Sequence, residues 1–198
     1  MRAWFDPAVR FALAGVAVVL LAQATGLGEA LEYRRALIAS EPWRILTCHF
    51  VHANWRHAIW NALAWIALAR LLAPDLPPLR QAALLASSAL GTGLLLWLAA
   101  PQVPWYRGLS GSLHGLAAAA SVLGLAGPTP RGGRVWPALV LAAVWIKVAV
   151  EQFAAASIAN ENWLGVAVIT RSHLFGAGIG TLIGGAWIGG AWVWRGAR

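Results

Sequence analysis

Residues 173–187 read HLFGAGIGTLIGGAW, and residues 108–115 read GLSGSLHG. The first stretch is apolar enough to predict a membrane-spanning helix, and it begins with a histidine. A neutral imidazole in a membrane costs less than a charge, but its polarity still calls for a functional or structural reason. The second stretch places Ser110 beside glycines at the start of another apolar run. Because a serine hydroxyl becomes a nucleophile only when a base takes its proton, Ser110 and His173 together predict serine-protease chemistry within a membrane.

The composition is that of a membrane protein. Of the 198 residues, 60% are hydrophobic and only 11% are charged, against about 25% charged residues in an average soluble domain. The net charge of +8 comes from arginines scattered between apolar runs, as at the flanks of membrane spans. We therefore expect a lipid bilayer as partner and no nucleic acid. The length fits one domain covering residues 1–198, and the single Cys48 excludes an internal disulfide.

Six apolar runs predict an all-α membrane protein, a bundle of six transmembrane helices. A span needs about 20 mostly apolar residues, and its backbone groups must form hydrogen bonds within the segment. The first run alone would also fit a signal peptide, but the five runs that follow favour a span. The predicted spans are approximately Val9–Gly28, Trp55–Ala73, Leu79–Ala100, Ser110–Gly127, Trp136–Ala156 and Ser172–Trp194.

The arginines predict the orientation of the bundle. Six spans put both termini on one side, and eight arginines would lie there against six on the other. The excess favours both termini in the cytoplasm. Ser110, His173, His52 and His57 then all lie near the outer face. The first set is Arg2, Arg10, Arg70, Arg80, Arg131, Arg134, Arg195 and Arg198, and the second is Arg34, Arg35, Arg44, Arg56, Arg107 and Arg171.

Glycines predict a close contact between the fourth and sixth spans. Gly176, Gly180 and Gly184 recur every four residues, and Gly111 and Gly115 have the same spacing. Small residues let helix backbones approach closely in lipid. If these two faces pack together, Ser110 and His173 come within hydrogen-bond distance. The alternative is glycine packing alone, with a histidine that only binds a backbone carbonyl.

The residues around Ser110 suit an oxyanion. Gly108 and Gly111 free the backbone for a tight turn, and the helix that follows presents its amino end to the serine. Free N–H groups and the helix dipole favour negative charge at that point, as a tetrahedral intermediate requires. A Gly-Ser-Gly turn is also common without any catalytic role.

Residues 49–61, HFVHANWRHAIWN, add polar groups to the second span. His57 and Asn61 are four residues apart and share a helix face. Both could donate hydrogen bonds to an oxyanion, together with the Ser110 backbone N–H. His52 lies just above, near the interface. A hydrogen-bond network between helices without catalysis is the alternative.

Metal and haem sites are less well supported. Zinc could be ligated by Cys48, His49, His52 and His57, but their spacing differs from HExxH and no carboxylate lies within the motif. A bis-histidine haem would leave the Gly-Ser-Gly turn unexplained; its candidate ligands are His57, His114 and His173. We expect no metal and no cofactor.

The sequence indicates no acidic third member beside the serine and the histidine. Lys147 and Glu151 are four residues apart on the fifth span, where they could form a pair or extend toward opposite surfaces, and we assign them no catalytic role. We therefore expect a Ser–His dyad. His114, four residues after Ser110, would stack on His173 or form a hydrogen bond with it, unless it serves only packing.

These motifs together resemble the rhomboid family of intramembrane serine proteases. The resemblance implies that Ser110 is the nucleophile, that His173 is the general base, and that His57, Asn61 and the Ser110 backbone bind the oxyanion. Supporting positions would be His52, Gly108, Gly111, His114 and Gly176. The residues that carry the resemblance are Trp43-Arg44, His52, His57, Asn61, Gly108-Leu109-Ser110-Gly111, His173, Gly176 and Gly180.

One position departs from many rhomboids, in which a tyrosine follows the serine by four residues. Here that position is His114. GLSGSLHG, HFVHANWRH and the short termini look like the rhombosortase branch. This likeness implies an enzyme of the bacterial inner membrane with its active site on the periplasmic side. Its substrates would be exported proteins with a C-terminal Gly-Gly motif, a membrane helix and a basic tail.

Two other functions fit the same features less well. A non-catalytic rhomboid-like protein that binds and escorts membrane helices would use this fold without the dyad, and the intact Ser110 and His173 argue against it. A small transporter or haem carrier is the second alternative.

Overall fold

The computed structural model describes residues 6–72, 76–126, 133–153 and 162–196, with side chains up to residue 189. Within this part of the chain, six long helices follow one another and make up most of the fold. Short helical turns at Gly28–Leu31, Arg35–Leu37, Arg44–Thr47 and Cys48–Phe50 fill the first long connection. The long helices are α1 (Pro7–Ala24), α2 (Trp55–Leu72), α3 (Pro78–Ala99), α4 (Ser110–Ala126), α5 (Val135–Glu151) and α6 (Thr170–Gly196).

Each predicted span corresponds to one of these helices, so the predicted all-α bundle is confirmed. The boundaries differ by a few residues. α1 begins at Pro7, where the Asp6 side chain accepts a hydrogen bond from the Ala8 N–H at 2.8 Å as an N-cap. It ends at Ala24 rather than Gly28, because Gly26 has a positive φ of 71° that turns the chain.

The fifth span is also shorter than predicted, since α5 ends at Glu151 rather than Ala156. Ala73, Gly127 and residues 154–156, which the prediction placed at span ends, lie outside the described residues. α1 and α3 are long and apolar enough to cross a bilayer, and α4 is apolar but shorter. The count of six spans stays a prediction.

α4 is the central helix of the bundle. It contacts α2, α3, α5 and α6, and its contact with α6 is the most extensive between any two described elements. The buried residues of α4 are mostly small, including the run Ala117–Ala120. Because small side chains keep the helix narrow, neighbouring backbones can approach it from several sides.

The α4–α6 contact is a contact between backbones, as the glycine spacing predicts. A Cβ atom added at Gly176 would lie 1.9 Å from the carbonyl oxygen of Gly111, and one added at Gly180 would lie 2.0 Å from that of Gly115. The contacts advance by four residues along both helices in the same direction, so α4 and α6 run parallel. Their amino ends therefore lie side by side.

The first connection is folded onto the helices. Arg44 is buried, and its Nη1 donates hydrogen bonds to the carbonyl oxygens of Glu29 and Glu32, both at 2.8 Å. Arg35 donates hydrogen bonds to three carbonyl oxygens at the carboxyl end of α3, where a cation is favoured by the helix dipole. An antiparallel pair of two-residue strands, β1 (Tyr33–Arg34) and β2 (Trp105–Tyr106), ties this connection to the segment before α4.

Replacing Gly180 with alanine is expected to destabilise the bundle. The new methyl group would lie 2.0 Å from the Gly115 carbonyl oxygen, so α4 and α6 would have to separate. Overpacking of this kind costs about 1–3 kcal/mol or more. Gly178→Ala is the matched control, because its Cβ position has no neighbour within 4 Å apart from the adjacent residues and the backbone of its own helix. Equal melting temperatures of the two variants in detergent would contradict the backbone contact.

Candidate active site

Ser110 and His173 meet where the amino ends of α4 and α6 lie side by side. Ser110 is the first residue of α4, and His173 lies within the first turn of α6. The Ser110 Oγ and the His173 Nε2 are 2.8 Å apart, which is hydrogen-bond distance. His173 is 4% exposed and Ser110 is half-buried. The structure thus brings together the two residues that the sequence singled out.

The turn before Ser110 requires a glycine. Gly108 has a φ of 135°, in the region that side-chain-bearing residues rarely adopt. A Cβ atom at this position would also lie 2.8 Å from Cε1 of His57. The Gly108 N–H donates a hydrogen bond to the Cys48 carbonyl oxygen at 3.0 Å, and its carbonyl accepts one from the Tyr106 hydroxyl. These contacts hold the turn in place.

His57 and Asn61 both face this turn from α2. The Asn54 side chain begins α2 by accepting a hydrogen bond from the His57 N–H at 2.8 Å. Asn61 is 6% exposed, and its Nδ2 has no hydrogen-bond acceptor among the described residues. An unpaired buried donor costs about 1–3 kcal/mol. A donor kept unpaired here would be available to an oxyanion if one formed at Ser110.

The supporting positions lie around the same point. The Leu109 N–H faces the His52 Nε2 at 3.4 Å, so His52 contacts the turn rather than the Ser110 hydroxyl. Gly111 packs against the Ser172 carbonyl, and Gly176 packs against Gly111. His49, which the sequence analysis considered only as a zinc ligand, is fully buried with its Nδ1 3.0 Å from the Ser112 Oγ.

His114 stacks on His173, which is one of the arrangements that the sequence leaves open. The two ring centroids are 4.3 Å apart, and the ring planes differ by 16°. The His114 Nδ1 is 2.7 Å from the Ser110 carbonyl oxygen, to which it donates. A histidine at this position can therefore hold the plane of the His173 ring. The short ring separation leaves no gap for a haem between His114 and His173.

A cavity of about 210 Å³ gives access to these groups. One wall of this cavity, called the roof below, includes residues of the segment 163–169. Hydrogen bonds join it to the start of α2. The Leu164 carbonyl accepts a hydrogen bond from Asn54 Nδ2 at 2.9 Å, and the Trp163 carbonyl accepts one from Arg56 Nη1 at 2.7 Å. The rings of Trp60 and Trp163 also pack together, with centroids 4.8 Å apart. Polar groups that line the cavity include His57, Asn61, Ser110, His114, Glu151 and His173.

Glu151 is the residue that the sequence analysis missed. We expected no acidic third member, but Glu151 Oε2 lies 2.7 Å from His173 Nδ1, and Glu151 Oε1 accepts a hydrogen bond from the Lys147 ammonium. Glu151 is 4% exposed. The signal that would have found it is its place inside the predicted fifth span, because an ionisable residue inside a membrane segment is expected to be functional.

The zinc site considered from the sequence does not form. Within the described ranges, the one group of three possible ligands with donor atoms within 4.8 Å of one another is His114, Glu151 and His173. The lone pairs of an imidazole lie in the plane of its ring. Since His114 and His173 are stacked nearly parallel, their nitrogens do not converge on a single ion. This group fits a hydrogen-bonded cluster better than a metal site.

The structure is thus a helical membrane bundle in which a serine and a histidine lie at hydrogen-bond distance between two helices. The family model of the rhomboid domain matches residues 39–189. The chain therefore belongs to the rhomboid family. Its members are membrane-embedded and are in general intramembrane serine proteases that act on transmembrane substrates, although some are inactive. No curated protein matches the chain.

Two buried histidines in the first connection make stability depend on pH. Burial lowers the pKa of His49 to about 4, and burial together with the charges of His57 and His49 lowers the pKa of His52 to about 3. Between these values and the ordinary 6.5, the unfolded chain binds protons at both positions and the folded chain does not. Stability should therefore be complete above pH 6.5 and fall as the pH drops toward 4.

The slope of this loss is expected to be about 1.4 kcal/mol per pH unit for each histidine. Melting temperatures in detergent between pH 7 and pH 4.5 would measure it. His49→Gln removes one titrating group, so its melting temperature should depend less steeply on pH than that of the wild type. An equally steep dependence in this variant would contradict the neutral burial of His49.

Proposed function

We propose that this protein is an intramembrane serine endopeptidase in which Ser110 is the nucleophile and His173 is the general base. The observation that carries the proposal is the hydrogen-bond distance of 2.8 Å between Ser110 Oγ and His173 Nε2. It lies at the amino end of α4, beside an unpaired Asn61 amide and a cavity of about 210 Å³. These contacts support the assignment of a nucleophile, a base, an oxyanion donor and access for a peptide.

The reaction follows from this geometry. His173 Nε2 accepts the proton of Ser110 as the oxygen attacks the scissile carbonyl carbon. The oxyanion that forms is held by Asn61, by His57 and by the Ser110 backbone N–H at the helix amino end. His173 then donates its proton to the leaving amine, which departs and leaves an ester on Ser110. Water then attacks this ester while His173 takes up one of its protons. The ester C–O bond breaks, His173 returns the proton to Ser110 Oγ, and the other fragment leaves with a new carboxyl end.

The substrates we propose are exported bacterial proteins with a C-terminal Gly-Gly motif, a membrane helix and a basic tail. The small cavity supports this choice, because a pair of glycines presents backbone without side chains. Glycines also favour local unwinding of a helix, which cleavage of a membrane helix requires. A basic tail would stay on the cytoplasmic side, in accord with the positive-inside rule.

We propose a location in the bacterial inner membrane, with one domain over residues 1–198, six spans and both termini in the cytoplasm. The excess of arginines on the side of the termini supports this orientation. Ser110 and His173 would then be near the periplasmic surface. A substrate helix would enter from the side and unwind there, where water reaches its backbone.

Cleavage of a Gly-Gly-tailed membrane substrate in cells tests the proposal. Wild type should cleave it, whereas Ser110→Ala and His173→Ala should fail while inserting at normal levels. Cleavage by both variants at the wild-type rate would show that these residues are structural.

A fluorophosphonate probe separates an enzyme from the alternative escort protein. Because the probe reacts with an activated serine, wild type should be labelled and Ser110→Ala should not. Wild type that stays unlabelled in several detergents would favour an escort protein that only binds membrane helices.

Asn61→Ala is expected to lower kcat by about 10²–10³-fold, as loss of an oxyanion donor does in other hydrolases. The melting temperature should not fall with it, since the Asn61 Nδ2 has no described acceptor to lose. Unchanged kcat would remove Asn61 from the oxyanion site. A fall in melting temperature that accounts for the lost activity would assign it a structural role.

A further inference from the structure

Glu151 is a buried carboxylate whose two oxygens have different partners. Oε2 lies 2.7 Å from His173 Nδ1, and Oε1 accepts a hydrogen bond from the Lys147 ammonium one turn earlier on α5. The side chain of Glu151 is 3% exposed, whereas that of Lys147 is 50% exposed. A chain of contacts therefore runs from the half-exposed Lys147 through Glu151 and His173 to Ser110.

The position of the proton on His173 shows what this series of contacts can do. Nε2 accepts the Ser110 proton only if it carries none itself, so the neutral ring must carry its hydrogen on Nδ1. A neutral imidazole exists in two tautomers, and the partner of one nitrogen decides which tautomer forms. A carboxylate at 2.7 Å from Nδ1 accepts a hydrogen bond only from the Nδ1–H form. Glu151 thus favours the tautomer that can act as a base.

His114 cannot determine the tautomer of His173. It meets His173 face to face at 4.3 Å, and its own Nδ1 is occupied by the Ser110 carbonyl oxygen. Stacking restrains the plane of a ring but does not determine which of its nitrogens is protonated. Glu151 is therefore the one described partner of His173 that can fix both the orientation and the tautomer of the His173 ring.

We propose that Glu151 is a positioning residue for His173 and that Lys147 holds the Glu151 carboxylate in place, an inference that rests on the proposed protease function. When the Ser110 proton moves to Nε2, the ring becomes a cation that keeps its Nδ1 hydrogen. Glu151 stays ionised and stabilises this cation. The proton on Nε2 then passes to the leaving amine, so Glu151 takes up no proton.

The labelling kinetics of full-length protein in detergent test this role without an identified substrate. Glu151→Gln should lower the maximal rate of fluorophosphonate labelling at Ser110 by about 10²–10⁴-fold, as loss of the acidic member does in serine proteases. The concentration of probe that gives half of this rate should stay within about twofold, because an interaction made only in the transition state changes rate rather than binding. Glu151→Asp keeps the charge and should recover at least part of the loss.

Gln152 provides the matched control. Its side chain is exposed next to Glu151, so Gln152→Glu should label like the wild type. The double variant Glu151→Gln/Gln152→Glu keeps the net charge but moves the carboxylate away from His173, and it should be as slow as Glu151→Gln. Melting temperatures of all variants identify any loss caused by unfolding.

The inference is overturned if Glu151→Gln labels at the wild-type rate, if the double variant recovers the wild-type rate, or if the loss follows the fraction of unfolded protein. A failure of the proposed function is distinguishable from these outcomes. In that case wild type is not labelled at all, or Ser110→Ala is labelled as strongly as the wild type. Labelling that depends on Ser110 but not on Glu151 removes only the positioning role.

Discussion

The backbone contact between α4 and α6 is the constraint on which the site depends. Glycines meet carbonyl oxygens along several turns, so the distance between the two helix axes is fixed by main-chain atoms rather than by side chains. Because the helices run parallel, the contact aligns their amino ends and sets Ser110 against His173. Apolar side chains gain little hydrophobic free energy when they move from lipid into the protein interior, since the lipid is as apolar as they are. Close packing of small residues supplies the specificity instead.

Three other parts of the chain contribute residues to the site around this contact. α2 brings His57 and Asn61 to the turn at Gly108, and α5 brings Glu151 to the far side of the His173 ring. The folded connection before α2 contacts the same turn through the Cys48 carbonyl oxygen and the His52 ring. Polar side chains are also buried outside the lining of the cavity, as at Gln81, Ser88 and Thr92 of α3. The hydrophobic core of the described bundle consists mainly of alanine, leucine and valine side chains around Trp65.

The sequence predicts those parts of the structure that repeat locally. The helices follow from apolar runs, and the approach of Ser110 to His173 follows from glycines spaced by four on two of them. Glu151 could not be placed in this way, since its contact with His173 depends on how α5 is rotated against α6, which no spacing encodes. The β1–β2 pair joins residues about seventy positions apart, and nothing local in either dipeptide indicates its partner. The carbonyls that Arg44 holds are likewise set by the fold of the whole connection.

The start of α2 holds the roof of the cavity and also carries the proposed oxyanion donors. Asn54, Arg56 and Trp60 hold residues 163 and 164 from the first turns of α2, and His57 and Asn61 stand on the same turns. In the proposed protease, a polypeptide that displaced the roof to reach Ser110 would pull on the helix that carries the proposed oxyanion donors. Entry of the polypeptide and alignment of those donors would then be coupled, and the contacts of the roof with α2 would affect both how readily a polypeptide enters and how well its carbonyl is held.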